Sequence, residues 1–90
     1  MIAQVKVILE MCVPCHLQYK VDGNDLCISD IPWTRSSYID LVNNTIRVKF
    51  YRRMDFSWDI HHFPLCNPKC FDQIHECLGN YYNKRLYASD

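Results

Sequence analysis

Cys12-Val13-Pro14-Cys15 and Cys66-Asn67-Pro68-Lys69-Cys70 place four thiols in two short clusters with about 50 residues between them. No other feature limits the fold as much. A chain of 90 residues buries a limited share of its surface, and domains of this size often draw on a metal or disulfides for stability. Two sulfurs from one C-x-x-C turn can reach a single ion, and Pro14 stiffens that turn. Cys66 and Cys70 stand across a helix start, which again brings two sulfurs to one side. Zinc closed by four thiolates at about 2.3 Å is the structural site that this spacing suits. The free amides and partial positive charge of a helix N-terminus lower the cost of placing thiolates there. The expected ligands of one structural Zn²⁺ are therefore Cys12, Cys15, Cys66 and Cys70.

Other uses of the cysteines compete with this one. Six cysteines is an even number, as in a secreted disulfide scaffold. Against that, Lys6 and Glu10 interrupt the apolar residues of the first ten positions, which lack the pattern of a secretory signal. The expectation is a cytoplasmic protein with reduced thiols. Cys12 to His16 also matches the C-x-x-C-H haem-attachment pattern, and a strand before C-x-x-C is the setting of thioredoxin-like redox pairs. The latter need a helix directly after the motif, where a strand-like alternation and the Asp22-Gly23 turn follow instead. His16, His61 or His62 could replace a cysteine ligand. Cys77 lies about 10.5 Å further along the helix than Cys70, too far to share its ion, and reads as core; Cys27 sits in a strand.

Val5, Val7 and Leu9 alternate with Lys6 and Glu10, broken at Ile8, and predict a strand. Leu17 to Val21 and Leu26 to Ile28 predict a hairpin about Asp22-Gly23-Asn24-Asp25. Ser37 to Val42 and Thr45 to Tyr51 predict a second, turning at Asn43-Asn44, with Ile46, Val48 and Phe50 inward and Arg47, Lys49 and Tyr51 outward. Residues 55–65 carry mixed signals. Asn67 as cap, Pro68 at the first helical position and a Phe71, Ile74, Leu78, Tyr81 stripe predict a helix. The expected fold is one α+β domain over residues 1–90: a small zinc-stapled unit of knuckle, two β-hairpins and a C-terminal helix.

The knuckle at Cys12 and Cys15, the intervening hairpins, and Leu65-Cys66…Cys70-Phe71 at a helix start resemble treble-clef zinc domains. There the knuckle supplies two ligands and the helix start two more. The resemblance covers residues 11–79 and departs in its C-x₃-C second cluster. It implies a zinc-stapled fold and says little about activity.

Ten basic and ten acidic side chains give a formal net charge of zero, whereas duplex-DNA binders usually carry a basic excess. Two glycines in all leave little room for a phosphate-binding loop. No nucleophile elbow or deaminase motif is present, and Asp59, His61 and His62 offer only parts of a metal-dependent nuclease site. No membrane span and no small-molecule substrate are expected. Arg47, Lys49, Tyr51, Arg52 and Arg53 form a basic, aromatic hairpin edge suited to a partner. Tyr81, Tyr82, Lys84, Arg85 and Tyr87 form a second cluster, and Trp33 is a possible anchor. The expected function is a non-enzymatic zinc-binding interaction module, a regulator, adaptor or inhibitor of a protein partner. A phage-type antagonist of a host or defence factor is an extension of that. A nucleic-acid-binding zinc protein and a metal-dependent nuclease-like or redox enzyme are the alternatives.

Overall fold

The computed structural model describes residues 2–15, 17–29, 31 and 34–83. Its elements run α1 (Ile2–Met11), β1 (Tyr19–Asp22), β2 (Asp25–Ile28), β3 (Thr34–Val42), β4 (Thr45–Arg52), β5 (Trp58–Pro64) and α2 (Cys70–Asn83). The five strands form one antiparallel meander in the order β1-β2-β3-β4-β5.

The first segment is a helix, which corrects the expected strand. Val5, Ile8, Leu9 and Cys12 recur at spacings of three and four, and all four pack into the core. Val7, which the strand pattern would bury with Val5 and Leu9, points to solvent. Lys6 and Glu10, one turn apart, pair at 3.7 Å. Short apolar runs fit both periodicities, and here packing against β2 and β3 selects the helix.

The hairpins follow their turn chemistry. Gly23 takes φ 63° between β1 and β2. Asn43 and Asn44 take φ 52° and 58°, the two consecutive left-handed residues of a type I′ turn, whose twist matches the strands it joins. Residues 55–65, ambiguous in sequence, supply β5, which pairs along β4 from Tyr51↔Trp58 to Thr45↔Pro64. Ahead of α2, Asn67 Oδ1 accepts the Lys69 amide at 3.0 Å, so the cap forms where the sequence places it.

One face of the sheet carries the core. Leu26, Ile28, Ile39, Ile46, Val48 and Phe50 are buried there against Leu9 and Cys12 on the α1 side and Cys70, Ile74, Leu78 and Tyr81 of α2. Phe50 and Tyr81 stack at 3.9 Å between ring centroids, 4° from parallel. The helices meet where His75 Nε2 lies 2.9 Å from the Met11 carbonyl. The class is α+β, but with two helices on a five-stranded sheet and no zinc staple. The treble-clef resemblance fails with it. The Cys12–Cys15 turn closes a helix rather than a strand, and no metal-holding group forms among the described residues.

Candidate interaction surface

The cysteines divide by burial rather than converging as ligands. Cys12 is 0% exposed and Cys70 2%, within the core, whereas Cys15 and Cys66 are exposed. The Cys12 thiol donates to the Ile8 carbonyl at 3.3 Å and that of Cys70 to the Phe63 carbonyl at 3.5 Å. Burial, with a smaller contribution from the nearby Cys70, pushes the Cys12 thiol up to about 12. Burial and the neighbouring Cys66 raise Cys70 as well. The two clusters thus come near one another, Cys12 by Cys70 and Cys70 by Cys66, but their two buried thiols are turned onto the Ile8 and Phe63 carbonyls. All six cysteines are free. Among the described residues no three His, Cys, Asp or Glu side chains are grouped to hold a metal ion. The expected structural Zn²⁺ on Cys12, Cys15, Cys66 and Cys70 is therefore corrected, and with it every function built on zinc. A redox pair is not supported either: one thiol of each cluster, Cys12 and Cys70, is buried in the core, out of reach of a substrate. His16 lies outside the described residues, as do Trp33, Lys84, Arg85 and Tyr87.

The nuclease parts also separate. Side chains alternate between the faces of a strand, so Asp59 and His61 lie on the helix side of β5 while His62 lies on the other. Tyr81 donates its hydroxyl proton to Asp59 Oδ2 at 2.7 Å, so its oxygen accepts from His61 Nε2 at 2.8 Å. This relay ties α2 to β5. It borders a cleft of about 590 Å³ lined by His61, Phe63, Gln73, Glu76, Cys77, Asn80 and Tyr81. Among the described residues no metal-binding group completes it.

The opposite face of the sheet is covered by neither helix. Pairing register lays one row across it: Lys20, Cys27, Tyr38, Lys49 and Ile60. Asp40, Arg47 and His62 make a second row, and Ser36, Tyr51 and Trp58 a third. Tyr51 and Trp58 lie 4.9 Å apart by ring centroid, Tyr38 and Trp58 6.2 Å. Lys49 Nζ sits 5.8 Å from the Tyr38 ring centre.

The charges at the centre of this face are tied up within it. Arg47 grips Asp40 through both arms, at 2.8 and 2.6 Å, and Lys49 Nζ reaches the same carboxylate at 3.0 Å. The Asp40 side chain is 8% exposed. Burial alone would raise its pKa, but the hydrogen bonds and charges of Arg47 and Lys49 outweigh that and hold it below the usual carboxylate range. Arg52 is taken up by Asp55 at 2.9 Å and Asp59 at 3.6 Å, and Arg53 Nε donates to the Thr34 carbonyl at 3.1 Å. Of the five residues singled out in sequence, Arg47, Lys49 and Tyr51 share this face. Arg52 and Arg53 instead brace the β4–β5 turn.

Sequence reasoning missed Tyr38, Trp58, Ile60 and Phe56. Trp58 and Ile60 are 47% and 45% exposed, and Met54 and Phe56 in the adjoining turn are more so. Phe56 holds φ 55°, a left-handed conformation that costs an aromatic residue energy. Its ring lies 5.3 Å from the Arg35 guanidinium carbon. The available signal was the alternation of Trp58, Ile60 and His62 against Asp59, His61 and Phe63, blurred because both sets contain apolar and titratable residues.

Compared with protein-family models, curated proteins and solved structures, the chain matches none.

Proposed function

We propose that this domain is a metal-free recognition module that binds a protein partner through the uncovered face of its sheet. One observation carries the reading. Met54, Phe56, Trp58 and Ile60 are exposed along a single segment, the last two on the sheet face that neither helix covers, beside Tyr38 and Tyr51. Aromatic side chains bury large areas at little entropic cost and dominate protein interfaces. Of the cations near them, Arg47 and Lys49 pair with Asp40, and Arg52 with Asp55 and, at 3.6 Å, Asp59, while Arg35 lies over the Phe56 ring and Arg53 donates to a backbone carbonyl. The carboxylate-paired cations therefore contribute little to phosphate binding, which depends on available basic groups. Arg47, Lys49 and Asp40 together keep one net positive charge. The complementary surface is an apolar protein patch edged by acidic side chains.

The test uses a partner retained by the wild-type protein, purified and titrated by calorimetry. Trp58→Ala weakens binding by about tenfold or more, while moderate salt changes it little. Unchanged affinity in both Trp58→Ala and Ile60→Ala would overturn the reading. So would tight, steeply salt-dependent binding of single-stranded RNA or DNA in place of protein.

A further inference from the structure

The sheet has two edges, and they differ in kind. β1 is four residues long and carries Lys20 and Asp22, the short, charged edge that discourages pairing with another chain. β5 is seven residues long and has no Lys or Arg; its one carboxylate, Asp59, is taken up by Tyr81 and Arg52, and Pro64 stands only at its end.

The hydrogen-bond phase shows which groups of β5 are left over. The Leu65 amide donates to Asn44 and the Arg52 amide to the Ser57 carbonyl. Bonded pairs alternate along an antiparallel ladder, so Phe63, His61 and Asp59 spend their backbone groups on β4. Trp58, Ile60 and His62 point theirs outward, and no described residue pairs with them.

This edge is complementary to itself. The geometry points to a two-fold dimer in which β5 pairs antiparallel with β5 of a second copy about Ile60, joining two sheets into one. In that register Trp58 bonds opposite the partner copy's His62, and Ile60 opposite Ile60. Asp59 then lies across from His61 on the helix side, an acid beside an imidazole. Shifting the axis to Asp59 sets two carboxylates face to face. Shifting it to His61 opposes two imidazoles and brings Pro64, which has no amide proton, against Trp58. Only the Ile60 axis satisfies the outward groups without setting like side chains that can carry charge against each other. The dimer also doubles the uncovered face, placing Trp58 and Ile60 of both copies at its middle. It does not depend on the partner-binding reading above, since its ligand is the chain itself.

Sedimentation under reducing conditions, across a wide concentration range, tests it. A reversible monomer–dimer equilibrium is expected, and Ile60→Lys raises its dissociation midpoint by about tenfold or more. Amide exchange in the wild type supplies a readout independent of any variant's folding. Trp58, Ile60 and His62 amides slow with rising concentration, while Asp59, His61 and Phe63 amides do not change. Tyr38→Ala, two strands away, leaves the dimer intact even where it weakens a partner. A protein that stays monomeric throughout would overturn the proposal. So would a dimer indifferent to Ile60→Lys, or one that leaves those three amides unprotected.

Discussion

Replacing the cysteines one at a time separates core packing from metal ligation. Four thiolates on one ion act as a unit, so losing any of them would cost a similar, large amount of stability. The structure instead makes the cost follow burial. Cys12 is fully enclosed among Leu9, Ile74 and the other core residues. Cys12→Ala removes a buried sulfur of about one methylene's size, worth about 0.8 kcal/mol in transfer, and leaves a cavity that adds a similar amount. A total of about 1–2 kcal/mol is expected, and about the same for Cys70→Ala. A domain of this length loses roughly 4–8 °C of Tm per kcal/mol. Cys15→Ser and Cys66→Ser, both exposed, stay within about 0.5 kcal/mol of wild type. Thermal unfolding followed by circular dichroism, with and without a strong chelator, measures all five proteins. A Tm loss in Cys15→Ser or Cys66→Ser matching that of Cys12→Ala would refute the core assignment. So would a chelator-induced fall in the wild type.

The high Cys12 pKa also makes stability depend on alkaline pH. Its thiol stays protonated in the fold up to about 12, whereas the unfolded chain ionises near 8.5. The contribution is complete below that value and fades as pH rises toward 12, by about 1.4 kcal/mol per pH unit. Denaturant titrations should show this slope in the wild type and a shallower one in Cys12→Ala, where the raised Cys70 thiol keeps its own share. Asp40 acts at the other end. Its depressed pKa stabilises the fold above about pH 4, a contribution lost as pH falls through the folded value. Asp40→Asn should remove that acid dependence and cost about 1–3 kcal/mol at neutral pH. Phe56→Asn places a residue that tolerates positive φ in the strained turn position. It should stabilise by about 1 kcal/mol while weakening partner binding, measured by melting and calorimetry side by side. Tyr81→Phe keeps the stack on Phe50 but removes the hydroxyl between Asp59 and His61. A cost of about 1–2 kcal/mol is expected, against about 3–5 for Tyr81→Ala.

The hairpin through Asn43-Asn44, the inward set Ile46, Val48 and Phe50, and the Asn67 cap before the Ile74, Leu78, Tyr81 stripe were legible in sequence. Each rests on residues within a turn or two of one another. The first segment was not, because Val5, Val7 and Leu9 fit a strand while Val5, Ile8, Leu9 and Cys12 fit a helix. Arg47, Lys49 and Tyr51 were placed on one outward face by alternation alone. That Asp40 neutralises part of their charge follows from β3 lying beside β4, which alternation does not reveal.

The sequence by itself determined the local pieces: turns, cap, the buried face of β4 and the α+β class, all encoded by short-range sterics and periodicity. Tertiary structure decided which cysteines join the core, and which face and edge of the sheet the two helices leave uncovered. A C-x-x-C pair has the same spacing whether it holds a metal or fills a core. Only the packing of α1 and α2 over the sheet buries Cys12 and Cys70, leaves Cys15 and Cys66 in solvent, and exposes the Trp58–Ile60 edge.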